Sequence, residues 1–173
     1  MEHINIEIKA RCQDQEKIRS ILKSKNADFK GVDHQIDTYF KVSPGRLKLR
    51  EGNIENHLIF YNRVNQQGPK QSDVTLFNTE PNSGLKEILA KALGILFVVD
   101  KSREIYFVDN VKFHLDTVKD LGTFMEIEAI DTGGIPKEKL MEQCKSYMQL
   151  FSIKDADLLA VSYSDLLIEK FKV

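Results

Sequence analysis

Charged residues recur in this chain at alternate positions, the spacing that stacks side chains on one face of a β-strand. Arg46, Lys48 and Arg50 share a face opposite Leu47 and Leu49, with no acid between them. Lys101 and Arg103 repeat the pattern, and Arg63 follows Tyr61. Near the N-terminus, Glu7, Lys9 and Arg11 stand opposite Ile6, Ile8 and Ala10. Asp116 accompanies His114, and Glu126 accompanies Glu128 opposite Met125 and Ile127. Cations at this density grip phosphate oxygens. Glu7, Asp116, Glu126 and Glu128 are hard oxygen donors suited to Mg²⁺, which takes one or two carboxylates plus substrate phosphate oxygens and water. The combination is the chemistry of phosphoryl and nucleotidyl transfer, in which a protein positions groups and stabilises charge. A charge-assisted hydrogen bond contributes about 1.5–3 kcal/mol, so several converging on one triphosphate would hold it firmly.

These residues must be positioned by strands. Apart from the opening segment, strand patterns run over residues 34–40, 46–51, 58–63, 72–78, 98–108, 111–116 and 124–129. Most meet through short turns, such as Asp109-Asn110 and Leu121-Gly122. Four helical patterns separate or follow them. Asp14 caps a helix with Ile18, Ile21 and Leu22 on one face. Residues 84–93 place Leu85, Ile88, Leu89 and Ala92 inward, and Gly94 closes that helix. Pro136 opens a helix over 137–150 with a stripe of Leu140, Cys144, Tyr147 and Met148, and 155–169 reads as the last helix. Any one charged strand face is ordinarily solvated, and His114 alone is an ordinary strand residue. The joint pattern points inward instead. An α+β fold satisfies it: a closed or nearly closed eight-stranded antiparallel β-barrel with a polar lumen and helices outside. Small barrels usually fill their interior with apolar side chains. A charged lumen therefore calls for a bound polyanion.

Composition narrows the classes. The chain has 173 residues, 42% of them apolar, and a net charge of −1, as expected of one domain over 1–173. There is no global basic field, and the polar faces carry few aromatics, so nucleic acid is not an expected partner. Cys12 and Cys144 lie far apart in no metal spacing and read as packing thiols of a cytoplasmic protein without a signal peptide. The longest apolar run, residues 94–99, is too short to span a bilayer.

The opening Asn5-Ile-Glu-Ile-Lys-Ala-Arg11 resembles the ExExK strand of the CYTH superfamily, which groups class IV adenylyl cyclases with thiamine and inorganic triphosphatases. Gln35-Ile-Asp-Thr-Tyr-Phe40, Gly45-Arg-Leu-Lys-Leu-Arg-Glu51, Leu58-Ile-Phe-Tyr-Asn-Arg63 and Gly68-Pro-Lys-Gln-Ser72 follow in the family's order. So do Lys101-Ser-Arg103, His114-Leu-Asp116, Leu121-Gly-Thr-Phe-Met-Glu-Ile-Glu128 and Ser162-Tyr-Ser-Asp-Leu-Leu167. The Gly-Pro-Lys element and the tail look closest to the cyclase-like branch.

The resemblance implies a triphosphate tunnel. By position it implies metal ligands Glu7, Asp116 and Glu126 with Glu128 as helper, and Mg²⁺ or Mn²⁺ as the metal. It implies triphosphate contacts from Lys9, Arg63, Lys70, Lys101 and Arg103. Arg46, Lys48 and Arg50 lie on the matching tunnel strand, and Arg11 is counted with the phosphate-binding cations. Glu7, Lys9, Asp116 and Glu126 carry the expected catalytic roles. The implied activity is conversion of ATP to cyclic AMP and pyrophosphate. The alternatives are a triphosphatase or a non-catalytic polyphosphate-binding module. A homodimer is compatible with the cyclase-like branch. One position departs from the motif: Asn5 stands where the first Glu would be. An amide brings no charge and ligates a hard cation more weakly, which counts against a second metal.

Overall fold

The computed structural model of the protein describes residues 2–172. Its strands are β1 (Glu2–Arg11), β2 (Asp28–Phe40), β3 (Arg46–Glu51), β4 (His57–Asn62), β5 (Lys70–Asn78), β6 (Ile95–Val108), β7 (Val111–Val118) and β8 (Gly122–Ile130). The helices are α1 (Gln15–Ser24), α2 (Leu85–Leu93), α3 (Lys137–Leu150) and α4 (Tyr163–Phe171). The strands close into an antiparallel barrel in the order β1-β5-β4-β3-β2-β6-β7-β8. Strand β1 completes the ring, setting Glu7 opposite Lys70 on one side and Glu128 on the other, and Lys9 opposite Glu126.

The alternation of β1 decides what is core and what is lumen. Ile6, Ile8 and Ala10 face outward and are buried under α1 and α3, together with Phe113, Leu115, Met125 and Ile127 of β7 and β8. The Asp14 side chain accepts a hydrogen bond from the Lys17 amide and starts α1, which buries Ile18 and Leu22. Helix α3 buries Leu140 and Cys144 against the same strands. A second cluster, with Tyr39, Tyr61, Val99, Phe124, Tyr163 and Leu167, fills one end of the barrel.

Two helical expectations change. Helix α2 buries none of its side chains, and Ile88 is 64% exposed. The stripe defines a face, but the fold brings no core to it. The predicted helix over 155–169 is broken. A 3₁₀ turn at Asp155–Asp157 gives way to extended chain, where Leu158 bridges to Ala10 and the Leu159 amide donates to the Lys9 carbonyl at 2.9 Å. Helix α4 then restarts behind a capping box, in which Ser162 and Asp165 each bind the other's backbone amide. Such a box satisfies end amides that a continuous helix would not expose, so it favours a new N-terminus. Strands β2 and β6 also begin earlier than their alternation suggests, because they pair along nearly their whole length. No helix among the described residues is long and apolar enough to cross a membrane.

Candidate active site

A cavity of about 720 Å³ follows the barrel axis. Antiparallel pairing brings the start of β1, β4 and β7 and the end of β5, β6 and β8 to the same rim. At that rim His3, His57, Val74, Leu76, Phe107 and Ile130 line the cavity and are only half-buried, while Thr132 and Gly133 beside them are exposed. This end is the mouth. At the other end the wall is fully buried, and Ser162 and Tyr163 close it.

Between the ends, buried cations meet buried acids. Asp37 is the hub of one group. It accepts both Nε and Nη2 of Arg50 at 2.9 Å, Lys101 Nζ at 2.7 Å and lies 3.1 Å from Lys48 Nζ. Burial works to raise its pKa, but Arg50, Lys101 and Lys48 outweigh it and hold the carboxyl well below the usual range. Glu126 is the hub of a second group, 3.0 Å from Lys9 Nζ, 3.2 Å from Arg103 Nη2 and 2.8 Å from His114 Nδ1. Burial, with the Arg103 charge behind it, pushes the His114 imidazole down to about 3, so the ring is neutral. Arg63 pairs with Glu7, and Lys9 Nζ sits 3.6 Å from the centre of the Tyr163 ring. At the mouth, Glu55 pairs with Lys112 and accepts Arg50 Nη1 at 3.1 Å.

The structure therefore brings Glu7, Lys9, Lys48, Arg50, Arg63, Lys101, Arg103, Glu126 and Glu128 onto the cavity wall. Four expected residues lie elsewhere. Arg11 is exposed at the end of β1, over the Phe124 ring. Arg46 makes a two-pronged pair with Asp165 of α4, both contacts at 2.8 Å. Lys70 is fully buried and donates to the Ala160 carbonyl at 3.1 Å, fastening the tail; burial pushes its ammonium down to about 8. Asp116 is held by Arg103 at 2.7 and 2.6 Å and by the Tyr163 hydroxyl at 2.7 Å, beneath the wall.

Sequence reasoning missed Asp37, Glu55, Lys112 and Tyr163. Asp37 shares a strand face with Gln35 and Tyr39, and Lys112 one with His114, so alternation could have found both. Glu55 sits in a loop, where no periodicity exists. That loop is tied down by Asp33, which accepts the Ile54 and Glu55 amides at 2.9 and 3.0 Å.

A divalent cation fits one part of the wall. A nitrogen of His114 and an oxygen from each of Glu126 and Glu128 lie within 4.8 Å of one another. Burial and the neighbouring Glu7 and Glu126 charges, against Lys112, push the Glu128 carboxyl up to about 7. A cation would relieve that repulsion. Two buried polar atoms on this wall, Asn5 Oδ1 and His114 Nε2, have no hydrogen-bond partner.

The sequence profile of the CYTH domain matches residues 3–163. The chain belongs to the CYTH family. Among relatives of this CYTH protein, one from Methanocaldococcus jannaschii bears the name "Putative adenylate cyclase MJ0240"; it is 26% identical over 94% of this chain and 98% of its own. The solved PH1012 protein of Pyrococcus horikoshii matches with a TM-score of 0.80 and 25% identity over 94% of this chain and 98% of its own. HpAC1 of Hippeastrum, a named adenylyl cyclase candidate described as revealing a dominant triphosphatase activity, matches with a TM-score of 0.64. It is 13% identical over 98% of this chain and 96% of its own, a likeness of fold.

Proposed function

We propose that this CYTH protein is a divalent-metal-dependent enzyme acting on a nucleoside triphosphate, and that it converts ATP to cyclic AMP and pyrophosphate. The observation that carries this reading is the continuity of one cavity from a cation-lined interior to a half-buried apolar mouth. Inorganic tripolyphosphate would use only the interior. A nucleotide would use both, with its base beside Val74, Leu76, Phe107 and Ile130. The adenylate cyclase name of the archaeal relative supports the same choice.

In this reaction the ribose 3′-hydroxyl attacks the α-phosphorus in line, loses its proton, and the bond to the bridging oxygen of pyrophosphate breaks. Lys9, Lys48, Arg50, Arg63, Lys101 and Arg103 would exchange internal carboxylates for phosphate oxygens. They would then stabilise the charge that grows on the departing pyrophosphate. The barrel wall keeps water from the α-phosphorus, which favours cyclisation over hydrolysis. His114, Glu126 and Glu128 would hold Mg²⁺ or Mn²⁺, whose contribution is Lewis-acid polarisation of phosphoryl oxygen. A triphosphatase is the second reading, favoured by the activity described for HpAC1.

Product identity decides. Purified protein with ATP and either metal should yield cyclic AMP and pyrophosphate in equal amounts. Glu126→Gln should slow this by about 10–100-fold, the usual effect of disturbing a metal site. Orthophosphate without cyclic AMP would move the assignment to the hydrolase. Tripolyphosphate binding without turnover of ATP under either metal would refute the enzyme reading.

A further inference from the structure

Three groups on adjacent strands of the cavity wall lack the partners that buried polar atoms ordinarily have. His114 of β7 is 1% exposed, and its Nε2 is buried without a hydrogen bond. Asn5 of β1 is 5% exposed, and its Oδ1 is orphaned in the same way. Glu128 lies on β8, the strand between them, and takes part in no hydrogen bond among the described residues. The registers set His114 opposite Glu126 and Glu7 opposite Glu128, which leaves Asn5 one diagonal step from Glu128. All of these residues line the cavity.

The tautomer follows from the contacts. Glu126 Oε2 lies 2.8 Å from His114 Nδ1, so the carboxylate accepts the Nδ1 proton and Nε2 keeps its lone pair. A carboxylate that orients an imidazole this way is the usual outer partner of a metal-bound histidine. No donor inside the protein meets the lone pair, and a cation would. The same holds for the amide oxygen of Asn5.

We propose that His114 ligates the divalent cation through Nε2, together with Glu128 and the amide oxygen of Asn5, while Glu126 orients the ring. The donor set is then one nitrogen, one carboxylate and one neutral oxygen. Imidazole suits first-row transition ions, whereas Mg²⁺ prefers an all-oxygen shell. The site therefore selects Mn²⁺ over Mg²⁺. It also gives Asn5 a purpose: with a softer nitrogen donor present, a further carboxylate is not needed. This assignment rests on the metal-dependent reading above and refines it.

The test uses the full chain with Mn²⁺ alone and no substrate. Pulsed electron paramagnetic resonance should show strong ¹⁴N modulation from a directly bound imidazole. His114→Gln and His114→Asn should each lose that modulation and weaken Mn²⁺ binding by about 10-fold or more, while Mg²⁺ binding changes far less. Thermal melts establish that the variants fold; if neither does, the wild-type spectrum decides alone. Mn²⁺ bound without nitrogen modulation, or modulation and Mn²⁺ preference retained in both variants, overturns the assignment even if triphosphate turnover persists. Failure of the wild type to bind either metal overturns the broader metal-dependent reading as well.

Discussion

Asp37→Asn removes the negative charge that Arg50, Lys48 and Lys101 share. All four groups sit within a buried wall, and only Arg50 keeps another acid, Glu55, at 3.1 Å. Breaking a buried ion pair from one side costs about 3–5 kcal/mol, because the remaining charge stays in a poor dielectric. The amide oxygen of Asn keeps an acceptor in place, so the lower end applies, about 3 kcal/mol. At about 2–4 °C per kcal/mol for a chain of this size, the melting point should fall by about 6–12 °C. The decisive measurement adds tripolyphosphate. At 100 times Kd a ligand stabilises the native state by about 2.7 kcal/mol. In the variant, phosphate oxygens also supply the missing counter-charge, so its upward thermal shift should exceed that of the wild type. A pH series gives an independent check. The folded-state pKa of Asp37 is depressed, so its contribution is complete above roughly pH 4 and is lost as pH falls towards the folded value. The variant should lack that part of the acid limb. A fall in melting point with no extra recovery by tripolyphosphate would refute the idea that these three cations form a phosphate cradle.

Glu55→Gln should tighten tripolyphosphate binding by about 10-fold, because about 1.4 kcal/mol of internal competition for Arg50 and Lys112 disappears; calorimetry showing an unchanged Kd would count against it. Tyr163→Phe deletes the hydroxyl that Asp116 accepts at 2.7 Å. It should lower stability in chemical denaturation by about 1.5–3 kcal/mol, the range for a hydrogen bond to a charged group, and a neutral outcome would mean that Arg103 alone satisfies Asp116.

The polar lumen was legible because β1, β3 and β8 alternate cleanly, and a period-2 pattern assigns every second residue to one side. Closure of the ring was not local information. It depends on β1 pairing with β5 and β8, whose residues are far away in sequence. The same limit explains the cations placed elsewhere. Arg46 and Lys70 carry the expected charge on the expected strands, yet their partners come from Asp165 and Ala160, about ninety residues or more downstream. Asp37 is a single acid among neutral residues of its strand, and only the register Asp37 opposite Arg50 reveals it as a hub. Glu55 was invisible because a loop has no period. For the stretch 155–169, apolar spacing read as one helix, whereas the Ser162–Asp165 box places a boundary inside it.

The tail that crosses beneath β1 and ends in Tyr163 has a consequence for kinetics. With one end shut, the barrel is a blind alley. A nucleotide must go in phosphates first, and whatever the reaction makes must back out through the same doorway. The cyclic product forms nearer the doorway and leaves first, with pyrophosphate trapped behind it. Pyrophosphate should then compete directly with ATP for the empty protein, whereas cyclic AMP should inhibit non-competitively. Such a queue is enforced by Lys70, whose hydrogen bond to the Ala160 carbonyl keeps the back wall in place.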